Sequence, residues 1–434
     1  MKFALYEILL HLSGAALLPY FIFKMLYSGK YREGVPERFG FIKDEKLKGL
    51  VGGPVVWVHA VSVGETKAAM PLLRLFKQRN PGVRVLFSTT TQTGNRTALE
   101  AGAGLIDALI YFPLDFSWSI KRVIRKTGPS VFVVVEKEVW PNIYRALARK
   151  KIPIIVANGT ISEKSFRRFK MFGFFFRDVF ARISAYCART EADRSMAIRA
   201  GVEKGRARTF GNLKFDIQPG NIGDAARGSL KKSLGISDTD RILVAGSTHP
   251  GEEELILGVF KDLLAKRVKL KLVLAPRHPE RFGEVESLIK KTGLKYARRT
   301  GGGDGAEDVM LLDTVGELLT VYSFATVAIV GGSLVQGIGG HNLLEPALFG
   351  RPVVYGPYLT AYAGMAGMLE AEGGGIRVKD RESLFNTLRK LFADDNLRTV
   401  MGRAGIKVVE SNRGAAMKTV EVMERFMKSG PKGV

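Results

Sequence analysis

Glu65, Glu136 and Glu138 each stand just beyond an apolar run, where a side chain is free to do chemistry. Glu65 closes the stretch Val58-His59-Ala60-Val61-Ser62-Val63-Gly64-Glu65-Thr66, which reads as a strand turning into a helix. A carboxylate at such a turn can act as general base toward a hydroxyl nucleophile. The plainer reading of Glu65 is a first-turn acid that complements the helix dipole. Glu136 and Glu138 follow the run Val131-Phe132-Val133-Val134-Val135, and Glu136, the first past it, is the better placed to face a cleft. Lys214, in Gly211-Asn212-Leu213-Lys214-Phe215-Asp216, can pair with an anion. Each of these taken alone is more often an ordinary surface charge.

The second half of the chain carries a different chemistry. Residues 331–346 hold a glycine-dense loop, Gly331-Gly332-Ser333-Leu334-Val335-Gln336-Gly337-Ile338-Gly339-Gly340, then His341-Asn342-Leu343-Leu344-Glu345-Pro346. The loop follows the apolar run Val327-Ala328-Ile329-Val330 and runs into a short helix expected from Ala347. Glycines let a backbone approach a ligand closely, and a helix N-terminus offers amides to an anion. Glu345 has the reach to meet a sugar hydroxyl, which is how a nucleotide-sugar donor would be held. Arg277, in Ala275-Pro276-Arg277-His278-Pro279-Glu280-Arg281, can clamp a phosphate or stack on a base. Asp313-Thr314-Val315-Gly316-Glu317-Leu318 looks like an N-capped helix start whose amides can meet a base or phosphate. Gly246-Ser247-Thr248-His249-Pro250-Gly251 is a further loop of this kind. His59, His249, His278 and His341 all fall in these stretches, yet no pair has helical ligand spacing, so no metal site is expected. Without a metal, a departing phosphate must be neutralised by Arg, Lys and helix N-termini.

The elements that must position these groups are legible from periodicity. Val/Ile-rich runs near 55–61, 83–88, 131–135 and 152–156 alternate with helical stretches such as 67–79 and 120–126. The pattern repeats with runs near 242–246, 270–274, 309–312 and 326–330. Continuous apolar runs of this length suggest strands buried on both faces, hence parallel sheets. The expected fold is α/β, with two Rossmann-like doubly wound domains opening their strand ends toward a central cleft. The expected division is 1–28, 29–218 and 219–434, with a linker near Gln218-Pro219-Gly220-Asn221-Ile222-Gly223 and a last helix able to return to the first domain.

Length and charge narrow the function. A chain of 434 residues exceeds one core, and a net charge of +24 calls for an anionic partner. Cys187 is the single cysteine, which excludes an intrachain disulfide. Residues 3–23 are largely apolar, interrupted by Glu7 and His11 and carrying Pro19 as an expected kink. That is long enough to cross a bilayer, or to lie in its interface as an amphipathic helix. Lys24, Lys30 and Arg32 follow this segment and only Lys2 precedes it, so the body is expected on the cytoplasmic side. No RNA- or DNA-binding motif accompanies the positive charge. In residues 164–182, six phenylalanines within Phe166–Phe176 interleave with Lys164, Arg167, Arg168, Lys170, Arg177 and Arg182. This is either a core helix with a basic edge or a surface that docks on an anionic membrane.

Ordered blocks along nearly the whole chain resemble the 3-deoxy-D-manno-oct-2-ulosonic acid (Kdo) transferases of lipopolysaccharide biosynthesis. They are Tyr31-Arg32-Glu33 with Glu37-Arg38-Phe39-Gly40-Phe41, Val61-Ser62-Val63-Gly64-Glu65-Thr66, Glu138-Val139-Trp140-Pro141-Asn142, Leu213-Lys214-Phe215-Asp216, Pro276-Arg277-His278-Pro279-Glu280-Arg281-Phe282 and Gly339-Gly340-His341-Asn342. The resemblance implies a glycosyltransferase B-type fold. It also implies inverting, metal-free and cofactor-free transfer of Kdo from CMP-Kdo to a lipid A precursor at the bacterial inner membrane. By position, Glu65 would be the proton acceptor, and Glu136 and Lys214 would stabilise the transition state. Pro276, Arg277, Val315, Gly316, Glu317, Asn342, Leu343, Leu344 and Glu345 would bind CMP. Rival readings are a UDP-sugar transferase of the same fold and a basic nucleic-acid-binding protein.

Overall fold

The computed structural model describes residues 2–27, 33–217, 222–360 and 362–428. Lys30, Tyr31, Arg32 and the linker residues Gln218, Pro219, Gly220 and Asn221 lie outside the described residues. Contacts divide the chain into two compact units, Met1–Ile217 with Asn412–Val434, and Gln218–Ser411.

The first unit is built on seven strands: β1 (Val55–His59), β2 (Arg84–Thr89), β3 (Ala108–Tyr111), β4 (Pro129–Val135), β5 (Ile154–Gly159), β6 (Ala185–Ala188) and β7 (Ala207–Thr209). Their order is β3-β2-β1-β4-β5-β6-β7, and every neighbouring pair is parallel. The apolar runs explain the two-sided burial. Along β1, Val55 and Trp57 join one core while Val56 and Val58 join another, because successive side chains point to opposite faces. The second unit repeats the plan with β8 (Ile242–Thr248), β9 (Lys271–Pro276), β10 (Tyr296–Arg298), β11 (Val309–Leu311), β12 (Val327–Val330), β13 (Val353–Tyr355) and β14 (Gly375–Arg377). Its order is β10-β11-β9-β8-β12-β13-β14, again parallel throughout. Ile242 and Val244 face one core, Leu243 and Ala245 the other. Both units are therefore Rossmann-like. In each, strand order reverses beside the first strand, between β1 and β4 and between β8 and β12. The crevice at such a reversal, beyond the strands' carboxyl ends, is where ligands of this architecture sit.

The helix Ala415–Lys428 packs in the first unit, with Val420 and Met423 in the core beside β1 and β4. Asp216 caps its start by accepting from Gly414 N at 2.6 Å and Ala416 N at 2.7 Å.

The first helix, Lys2–Tyr27, runs through Pro19 without interruption and is long and apolar enough to cross a membrane. Its opening turns, however, are fixed to the first unit. Phe3 is buried against Phe175, with ring centroids 5.1 Å apart. Tyr6 donates to Asp115 at 2.9 Å. Glu7 accepts from Ser117 N at 3.0 Å, Ser117 Oγ at 2.7 Å and Asn142 Nδ2 at 2.5 Å. The interruption by Glu7 is thus a docking contact. Leu5, Ile8, Leu9, Leu12, Leu17, Leu18, Tyr20 and Phe23 remain exposed.

Candidate functional site

In the first unit the three polar residues picked from the sequence sit around the reversal between β1 and β4. Ser62 caps the helix Val63–Arg79, accepting from Glu65 N, so Glu65 occupies the first turn directly after β1. Its side chain folds back and accepts from Val61 N at 2.6 Å. Glu65 is only 5% exposed. Burial drives its pKa up, the Val61 amide opposes this, and the charges of Glu136 and Glu138 push it further, to about 7. A carboxylate with that affinity can hold and release a proton at neutral pH.

Glu136 follows β4 with φ of 67°, a left-handed conformation that a residue with a Cβ adopts at a cost of roughly 1–3 kcal/mol. Its amide donates to Ala157 O at 2.8 Å, which fixes the turn. Its carboxylate accepts from Asn158 Nδ2 at 3.4 Å and lies 3.9 Å from Lys214 Nζ. Asn158, on β5, also has a positive φ of 55° and is buried. Its Oδ1 accepts from Leu213 N at 3.0 Å, tying the Lys214 turn to the Glu136 turn. Sequence reasoning missed Asn158. The available signal was a polar residue near the end of a strand-like run, Ile154-Ile155-Val156-Ala157.

In the second unit, the loops after β8, β9 and β12 meet. Arg277 leaves β9 directly after the buried Pro276, and its amide donates to Thr248 O at 3.0 Å. His249 Nε2 and His341 Nε2 stand 2.8 Å apart with the rings stacked at 5.0 Å. One proton lies between them, so one ring donates and the other accepts. Burial, then the charges of His278, Arg281 and Arg277, hold His249 down at about 4. Asn342 Oδ1 accepts from Leu344 N at 3.2 Å and its Nδ2 donates to Glu345 Oε1 at 3.4 Å. The helix opens at Leu344, three residues earlier than expected, with Leu343 and Leu344 buried and Glu345 in its first turn.

Several expectations are corrected. The amides that open the glycine loop are already engaged: the buried Glu252 accepts from Gly332 N at 2.7 Å, Ser333 N at 3.0 Å, Leu334 N at 2.8 Å and His249 N at 3.0 Å. Those glycines serve close packing, since a Cβ on Gly331 would stand 2.4 Å from Ser247 O. Asp313 does not cap a helix. It is bound by Arg298 Nε at 2.8 Å and Thr300 N at 3.0 Å. The next helix, Leu318–Tyr322, is entered through Gly316 (φ 96°) and Glu317, and Glu317 accepts from Arg299 at 3.0 Å. Val315 is exposed. His59 is no loop residue: it ends β1 fully buried, donates through Nδ1 to Ser88 O at 3.0 Å, and burial holds it down at about 3. Asn142 belongs to the docking of the first helix, through Glu7 and Asp115.

Residues 33–217 match the family profile described as 3-Deoxy-D-manno-octulosonic-acid transferase (kdotransferase). A 3-deoxy-D-manno-octulosonic acid transferase of Haemophilus influenzae is 33% identical over 405 residues, 92% of this chain and 93% of that protein. One from Bordetella pertussis is 30% identical, covering 92% and 93%. Among solved structures, the UDP-GlcNAc 2-epimerase of Neisseria meningitidis aligns over 86% of this chain and all of its own, with TM-score 0.61 at 13% identity. A glycosyltransferase of Rickettsia africae aligns over 87% and 99%, with TM-score 0.59 at 11% identity. At such identities the structural likeness speaks for the fold alone.

Proposed function

The chain belongs to the 3-deoxy-D-manno-octulosonic acid (Kdo) transferase family, a glycosyltransferase family of lipopolysaccharide biosynthesis, and on that premise we propose how it performs the transfer. The donor is CMP-Kdo, and the acceptor is a hydroxyl of a lipid A precursor. A sugar hydroxyl is a poor nucleophile, so Glu65 takes its proton as the oxygen attacks the Kdo anomeric carbon. The bond from that carbon to the phosphate oxygen breaks on the opposite face, inverting the centre. Lys214, with Glu136 beside it, stabilises the charge that shifts during the displacement. Arg277 meets the departing phosphate, while Pro276, Val315, Gly316, Glu317, Asn342, Leu343, Leu344 and Glu345 hold the rest of CMP. No metal is needed in this scheme, because cationic side chains neutralise the leaving group. The observation that carries the proposal is Glu65, a buried carboxylate with a pKa of about 7 at the strand reversal.

The lipid acceptor calls for a membrane surface. The anchored opening turns of the first helix favour a helix lying in the interface over one crossing the bilayer. Its exposed apolar residues, together with the exposed Met171, Phe172 and Phe174, would enter the headgroup region. The neighbouring Arg167, Arg168 and Lys170 would hold anionic headgroups, on the cytoplasmic side of the inner membrane.

Incubation with CMP-Kdo and a tetraacylated disaccharide bisphosphate, read by mass spectrometry, tests the reading. Product heavier by a Kdo residue is expected, undiminished by excess EDTA. Product only with a UDP-sugar, or activity restored to EDTA-treated enzyme by a divalent ion, contradicts it.

A further inference from the structure

A cavity in the C-terminal unit lies at the wrong edge of the sheet to hold the donor. Its volume is about 440 Å³, and its walls include Ile242, Thr326 and Pro352. Ile242 begins β8, and Thr326 and Pro352 immediately precede β12 and β13. The donor candidates instead follow the carboxyl ends of β9, β11 and β12. A strand of this length puts roughly 20 Å between the two edges.

The charges of this cavity are unevenly satisfied. Its carboxylates are committed to nearby cations: Asp238 to Lys231, Asp240 to Lys271 Nζ at 3.4 Å, and Asp395 to Arg398 and to Arg241 Nη2 at 3.7 Å. Asp238 and Asp395 stand on the rim, with side chains 99% and 74% exposed. Arg351 lies deeper. One of its terminal nitrogens donates to Ser323 O at 2.5 Å, while its Nε is buried with no hydrogen-bond partner. Among the described residues neither Arg351 nor the nearby Arg227 forms an ion pair. Burial, then the charge of Arg227, lowers the Arg351 pKa. A guanidinium stays charged at any physiological pH, so two that face one cavity with no ion pair of their own, beside carboxylates already paired with other cations, leave the site short of negative charge.

We propose that this cavity binds a phosphate monoester of a small polyhydroxylated molecule, with Arg351 and Arg227 holding the phosphate. A guanidinium fork matches phosphate geometry and takes it in paired hydrogen bonds. The volume falls within the roughly 300–1,000 Å³ of small-molecule sites and exceeds what a bare phosphate fills. Asp240 and Thr399, also on the wall, are suited to the hydroxyls of the esterified part. Such a ligand would supply the missing negative charge and stabilise the unit.

Thermal unfolding of the full chain with ribose 5-phosphate, inorganic phosphate or ribose, at matched ionic strength, tests the assignment. Ribose 5-phosphate should raise Tm saturably, inorganic phosphate less, and ribose not at all. Arg351→Gln and Arg227→Gln should each weaken the effect about tenfold or more, the worth of a lost charge-assisted hydrogen bond. Arg277→Ala, at the donor edge, should retain it. Arg227 lies on the partly exposed helix Asp224–Ser233, so Arg227→Gln decides the matter should Arg351→Gln fail to fold. Absence of any saturable shift in the parent protein overturns the proposal. So does a shift that survives Arg227→Gln and disappears in Arg277→Ala.

Discussion

Glu65 is held between two opposing effects. Burial and the charges of Glu136 and Glu138 favour its protonated form, while the Val61 amide favours its charged form. The balance at about 7, above the ordinary 4.5, has a consequence for stability. Between those values the folded protein keeps a proton that the unfolded chain releases, so stability falls as pH rises through the window. Glutamine mimics the protonated carboxyl. Glu65→Gln should therefore have a higher Tm than the parent at about pH 8, and the difference should vanish as pH falls below the ordinary carboxylate range. Equal Tm values across that range would mean that Glu65 is not strained by its surroundings. At the same scale, Asn158→Ala should lower turnover with little change in CMP protection, because Asn158 positions the Glu136 and Lys214 turns in the first unit. Arg277→Ala and Glu345→Ala should instead weaken the thermal protection given by CMP. Unchanged protection in both would remove them from the donor site.

At the scale of elements, the phenylalanine-rich segment divides its work. It is two helices, Glu163–Met171 and Gly173–Phe180, broken at Phe172. Phe166 and Phe175 are in the core, while Met171, Phe172 and Phe174 are exposed at the break. Lys2 donates to Phe174 O at 2.9 Å, so the first helix meets this break. Deleting the first helix would strip Tyr6 from Asp115 and Glu7 from Ser117 and Asn142, and would uncover Phe175 as well as remove a membrane contact. Removing Phe3 alone from its core site costs about 3–5 kcal/mol. Point changes are the cleaner probe. Replacing Arg167, Arg168 and Lys170 by Glu should weaken flotation with anionic liposomes and raise the acceptor KM, leaving CMP affinity unchanged. Each basic residue near an anionic surface contributes roughly 1 kcal/mol, so the parent's binding should weaken with salt. Undiminished, salt-insensitive flotation of the triple variant would show that these cations do not face the membrane.

On the scale of the whole molecule, the first unit is completed by the end of the chain. Asp216 caps the helix Ala415–Lys428, Arg79 pairs with Glu424 at 2.8 Å, and Met423 and Val420 fill the core against the β1–β4 face. A fragment ending at residue 217 should thus unfold at a lower temperature than one carrying residues 412–428 in trans. Eight of the strands, four in each unit, were legible in the sequence because Val/Ile runs such as Val131-Phe132-Val133-Val134-Val135 have one stable solution, burial on both faces, whereas the strand order that sets both reversals was not. Glu65, Glu136 and Arg277 were legible for the same reason, as polar residues just past such runs. What periodicity cannot carry is partnership across long sequence separations. Glu252 takes the amides of a loop some eighty residues away, Asn158 binds Leu213, and Tyr6 binds Asp115. Short strands such as β10 and β14, with a single turn's worth of residues, also lack enough length to show a period.

The central claim is that Glu65 accepts the proton of the attacking hydroxyl. Its most direct test is the rate of Kdo transfer by Glu65→Gln beside the parent enzyme, across pH. The parent's kcat/KM should climb with pH and level off above about 7, where Glu65 is ionised. Glu65→Gln should lose this rise and turn over about 10²–10⁴-fold more slowly, with CMP protection intact. Turnover near the parent's, with the rise preserved, would contradict the account.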